Sequence, residues 1–232
     1  MFIVRPNVTL ILDNNITLQG HSQNTHRMVW VEDGGIFKMN NGATISGNNG
    51  GGVYLQNRGI FEMNGGIISG NTAADVGGGV HLNYGTFTMY GGTISGNTAN
   101  NGGGVYVHSG TFTMRDGTIS GNIARQRGGG VYAQDFKMRG GIIENNIAYE
   151  YGGGVYISSL GGSFDKTGGI IVGYNSDSNS GNAVRNDSGI LARRGHTIYA
   201  NENVRKETTA GIRDNLSYGL GKVSGIWAET TK

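Results

Sequence analysis

The chain has 232 residues, of which 45 are glycine, one is proline and none is cysteine. That glycine share far exceeds the ordinary ~7% yet falls short of the one in three a collagen repeat needs. The missing cysteines exclude disulfides, thiolate zinc sites and cysteine nucleophiles. With 18 basic and 16 acidic side chains the formal charge is +2, which offers no electrostatic case for nucleic acid or an anionic membrane.

Read from the amino end, Met1 to Pro6 is too short in apolar residues, and has no preceding basic residues, to be a signal peptide. No run of 18 apolar residues exists anywhere, so no transmembrane helix is expected. Val8 to Leu12 and Ile16 to Leu18 look like an N-terminal coil lacking the glycines that follow. From residue 29 a repeat takes over. Its first run is Val29-Trp30-Val31, then Val53-Tyr54-Leu55, Val80-His81-Leu82, Val105-Tyr106-Val107, Val131-Tyr132-Ala133 and Val155-Tyr156-Ile157, at intervals of 24 to 27 residues. A second run follows in each unit, as in Phe37-Lys38-Met39 and Phe112-Thr113-Met114. The third is represented by Thr44-Ile45-Ser46 and Thr118-Ile119-Ser120.

Every run alternates, and a period of two is the signature of a strand, whose successive side chains leave opposite faces. The outer members of the first two runs (Val105, Val107, Phe112, Met114) and the central member of the third (Ile119) are expected to point inward. No stretch keeps helical spacing for two turns, and glycine clusters interrupt every unit. Three short strands per ~25 residues describe one coil of an all-β, single-stranded parallel β-helix of about seven to eight coils. Gly-Gly-Gly precedes each later triplet, where a corner needs positive φ or close stacking. Asn48, Asn71, Asn97, Asn122 and Asn146 follow the third run and are expected to form an amide ladder.

After residue 171 the pattern loosens. Tyr174 to Ser180 reads as an inserted loop, and the triplet returns as Ile198-Tyr199-Ala200. Residues 201–232 show no repeat and are expected to cap or trail from the last coil. The organisation predicted is one domain: 1–28 N-terminal coil, 29–171 regular repeats, 172–200 insertion and last coil, 201–232 cap or tail.

The stretch Ile94 to Tyr106 resembles the repeats of polymorphic outer-membrane proteins, with isoleucine and valine replacing their phenylalanine and alanine. Gly85 to Met89 and Gly91 to Asn97 are more similar to the large β-helix repeat proteins of spirochaete surfaces, as are Gly195 to Tyr199 and Thr208 to Gly211. The likeness spans about residues 29–215 and does not extend to a membrane-anchoring barrel. It implies a right-handed, pectin-lyase-like helix on a secreted or surface-displayed, extracellular protein.

Three functional readings follow. For an enzyme acting on polysaccharides, carboxylates should cluster, yet Asp33, Asp75, Asp116, Asp135 and Asp165 fall at differing repeat phases and Glu144 is alone on its face. His81 and His108 read as solvated surface histidines. No catalytic residue, metal or cofactor is assigned. For a binding protein, the central residues of the first run form an outward ladder: Trp30, Tyr54, His81, Tyr106, Tyr132, Tyr156 and Tyr199. Such a stripe suits a glycan or a protein on a host or neighbouring cell; the competing expectation is that it only shields the sheet. For a structural rod, open solenoid ends favour homotypic end-to-end assembly. Ice binding is disfavoured, since the threonine pairs of Thr86-Phe87-Thr88 and Thr111-Phe112-Thr113 are flanked by Lys38, Glu62 and Lys137. The adhesin-like reading is preferred.

Overall fold

The computed structural model describes residues 1–158, 162–173 and 181–185, together with the strands Ile198–Ala200 and Val223–Gly225. Among the described residues there is no helix, and all strand pairing is parallel, forming a β-solenoid of about seven turns with three strands per coil. The expected phase holds: Val105, Val107, Phe112, Met114 and Ile119 are all fully buried. Register is one coil to the next without slip in these runs, so like residues stack on like. A one-residue slip would turn the whole apolar set outward, which is why the pattern specifies register so tightly.

Inside, the second run builds a column of six phenylalanines, Phe37, Phe61, Phe87, Phe112, Phe136 and Phe164. Adjacent rings are 4.7–5.0 Å apart and within 21° of parallel. The N-terminal coil joins the same lattice, with Phe2–Val4, Thr9–Leu12 and Thr17–Gln19 paired to the coil above. Leu10, Leu12 and Leu18 occupy the phenylalanine, methionine and isoleucine columns there.

Two features go beyond the three-run pattern. In two coils the first and second runs fuse into ten-residue strands, Val80–Met89 and Val105–Met114, with a bulge near Asn83. A fourth run also appears: Thr98–Asn101, Ile123–Arg127, Ile147–Ala148 and Ala183–Val184. It packs the small residues Ala99, Ala124 and Ala148 inward. At the far end Ile198–Ala200 pairs with Val155–Ile157, as the returning triplet requires, and Val223–Gly225 pairs with Ser163–Lys166.

The asparagine ladder lies at the corner after the third run. The amide oxygen of Asn97 accepts from both the backbone and the side-chain nitrogen of Asn71, at 3.0 Å each. The same paired contact links Asn97 to Asn122 and Asn122 to Asn146. Each buried amide thus satisfies the corner of the coil beside it, where no water reaches.

Candidate functional site: the outward ladder

The ladder residues sit in register along one sheet, from Ile3 through Trp30, Tyr54, His81, Tyr106, Tyr132 and Tyr156 to Tyr199. From Trp30 to Tyr132 the neighbours in each strand point inward, so alternation turns these residues outward. Trp30, Tyr54, His81, Tyr106 and Tyr132 are half-buried and Ile3 is exposed, whereas Tyr156 is only 4% exposed, so the outward ladder expected from sequence is closed at that position. The side chain of Tyr199 lies outside the described residues. Burial comes from the corner four residues earlier. At Gly77, Gly102, Gly128 and Gly152 a Cβ would meet the Cβ of His81, Tyr106, Tyr132 and Tyr156 at 2.7–2.9 Å. Each of these glycines also has positive φ. Glycine is required there both for the turn and for the close seat of the ring.

The ladder has two halves. Tyr106, Tyr132 and Tyr156 stack at 4.7–4.8 Å and 24–25°, so their faces meet each other. Arg127 lies over Tyr156, with its guanidinium carbon 5.6 Å from the ring centre. In the other half the rings turn: Trp30 meets Tyr54 at 89°, Tyr54 meets His81 at 59°, and His81 meets Tyr106 at 81°. This half carries an amide row. Trp30 Nε1 donates to Gln56 Oε1 (3.1 Å), and Asn83 Nδ2 donates to the Tyr54 hydroxyl (3.1 Å).

His81 is not the solvated histidine expected from sequence. It is wedged between Tyr54 and Tyr106, and an Arg27 Nη2 lies 3.4 Å from its Nδ1. Burial, then the charge of Arg27, push its pKa down to about 3, so the ring is neutral near pH 7. Arg27 explains itself through a gap in the fourth run. Only four residues lie between Asn48 and Val53, against eight between Asn71 and Val80; the longer connection makes bridges to the next coil at Thr72 and Val76, whereas the shorter one forms neither strand nor bridge. The Val76 and Gly77 carbonyls therefore face an absent neighbour, and the Arg27 guanidinium donates to both. Its burial lowers the pKa to about 10, which still leaves it charged at neutral pH. A polar cleft of about 350 Å³ at the neighbouring corner is lined by Ser22, Gly47, Asn48, Asn49, Gly70 and Thr72.

Several residues escaped the sequence reading. Asn182 continues the amide ladder by accepting from Asn146 at 2.9 and 3.1 Å. The repeated Ser-Gly-Asn of Ser180-Gly181-Asn182 was its signal, masked by the inserted loop before it. Lys166 fills the methionine position, buried to 3% exposure, with its pKa lowered by desolvation. Tyr84 is the most exposed large apolar side chain of the described residues, at 61%. It lies in the bulge between the fused runs, a position no periodicity announces.

Among the described residues no group of three or more His, Asp or Glu is placed to hold a metal ion, and no helix is long and apolar enough to cross a membrane. No family model matches the chain, and neither a curated protein nor a solved structure is significantly similar to it.

Proposed function

We propose that this protein is a non-enzymatic, secreted or cell-surface repeat protein that presents a rigid repetitive face to glycan or protein partners, in the manner of an adhesin. The observation that supports this reading most is the unbroken ladder from Trp30 to Tyr156, half-open as far as Tyr132, with rings 4.7–5.3 Å apart and no charged residue within it. Near-regular spacing in a stacked lattice lets weak contacts act together along an extended partner. The repeat units Gly85 to Met89 and Gly91 to Asn97 support grouping the chain with spirochaete-type, right-handed, pectin-lyase-like surface helices.

The test is retention of the purified protein on immobilised polysaccharides and host-matrix proteins, beside the Tyr106→Ser/Tyr132→Ser double variant. Retention by the parent and its loss in the variant, with folding kept, supports the reading. A parent that is retained on none of these surfaces rejects it.

A structural rod is the second reading, favoured by the N-terminal coil. Phe2, Ile3, Val8, Ile11 and Ile16 are each more than 40% exposed there, and its strands pair on one side only. Such an edge templates further pairing, and head-to-tail stacking would propagate it into a filament. Electron microscopy distinguishes the two, because filaments favour the rod and dispersed particles the displayed binder.

A further inference from the structure

Tyr84 breaks a rule that the rest of the described chain obeys. Five residues other than glycine have φ in the left-handed region, and four of them are asparagines: Asn7, Asn15, Asn57 and Asn145. Asparagine tolerates that conformation through its short polar side chain; a bulky aromatic does not. The fifth is Tyr84, with φ of 65°. One coil earlier the matching position is Asn57, since Gln56 pairs with Asn83. A tyrosine thus stands where the lattice elsewhere uses asparagine or glycine, and its ring is 61% exposed. Neither burial nor backbone preference accounts for it.

The chemistry around Tyr84 is consistent with a single class of ligand. His108 meets the ring edge-on with centroids 6.2 Å apart, which sets the ring's orientation while leaving most of its surface open. The preceding residue, Asn83, uses its amide N–H₂ on the Tyr54 hydroxyl oxygen, so its carbonyl oxygen is left as an acceptor and the Tyr54 O–H as a donor. Gln56, beside Asn83 in the ladder, accepts from Trp30 and keeps its N–H₂ as a donor. An exposed ring next to alternating neutral donors and acceptors matches a sugar, whose C–H face packs on an aromatic while its hydroxyls both donate and accept. Two carboxylates of the preceding coils are already committed, Asp33 to Arg58 and Glu62 to Lys38.

We propose that Tyr84, with Asn83, Gln56 and the Tyr54 hydroxyl, forms a binding subsite for an uncharged glycan, Tyr84 being the stacking platform. This rests on the adhesin-like reading and narrows it, placing recognition at the fused-strand bulge beside the ladder rather than on the stacked tyrosines. Those rings have already committed their faces to one another.

The experiment measures affinity and melting temperature together, with cellohexaose, chitohexaose, mannohexaose and xylohexaose as neutral probes and polygalacturonate as the charged one. The variants are Tyr84→Gly, Tyr84→Phe, Asn83→Ala and Tyr106→Ser/Tyr132→Ser. At least one neutral probe is expected to bind the parent. Tyr84→Gly should weaken it tenfold or more while the melting temperature stays level or rises, because glycine relieves the left-handed backbone. Tyr84→Phe should bind within threefold of the parent, and Asn83→Ala should lose several-fold. Loss of affinity with a gain in stability is not what a scaffold residue produces. The subsite is overturned if Tyr84→Gly binds like the parent while the Tyr106/Tyr132 variant does not, which would leave the ladder as the binder. It is equally overturned if only polygalacturonate or a protein is bound, which would preserve the adhesin-like reading without a neutral-sugar site. Binding to no surface at all rejects both.

Discussion

Two aromatic columns run the length of this solenoid, one inside and one outside, and they obey different rules. The inner phenylalanines lie within 21° of parallel from Phe37 to Phe164. The outer rings range from 24° to 89° over an almost identical spacing. The coil rise sets the separation in both. Orientation is set by what encloses the ring: a close-packed interior admits one arrangement, whereas a half-open face lets each ring turn toward its own polar partner. The inner column is therefore a stability element, and the outer column is where composition is free to vary toward binding.

Substitutions should separate the two. Phe112→Ala, which opens a cavity between two stacked neighbours, is expected to cost about 3–5 kcal/mol by denaturant unfolding. A near-neutral result would mean that the inner column relaxes as readily as the outer one, and the contrast would fail. Asn97→Ala comes next, at about 2–3 kcal/mol, because it leaves the Asn71 backbone N–H and side chain without their shared acceptor.

The outer column should show a pH dependence that the inner one lacks. His81 has a folded pKa of about 3 against an ordinary 6.5, so the unfolded chain takes up the proton first. Its contribution is complete above pH 6.5 and declines as the pH falls toward 3. The loss should reach about 2 kcal/mol at pH 5. His81→Phe should flatten the melting profile between pH 7 and pH 5; an unchanged slope would place the titration elsewhere. Tyr132→Phe should be smaller still, within about 0.5 kcal/mol, since the stack survives and only an outward hydroxyl is lost. A cost comparable to Phe112→Ala would show that the outer column is packed as tightly as the inner.

Most of the lattice is legible in the residues. Alternation assigns Val105, Phe112 and Ile119 to the interior because strand periodicity is a local, steric property. The five asparagines announce their ladder because each recurs after the same short run. The fourth run was not legible, since its inward residue in each coil is a single small alanine, Ala99, Ala124 or Ala148, among polar or mixed neighbours, so no apolar alternation marks it. Asn182 carried the right tripeptide but the wrong spacing.

By itself, then, the sequence determined the coil, its phase, the seven first-run ladder positions and the polar corner, all consequences of a period of two repeated every 24 to 27 residues. Only the tertiary structure decided that Arg27 bridges a missing strand, that His81 is wedged between two rings and neutral, that the outer tyrosines spend their faces on one another, and that Tyr84 stands open on a left-handed backbone. Each of those depends on what the coils above and below supply at one level of the stack. A repeat, which is the same at every level, carries no record of it.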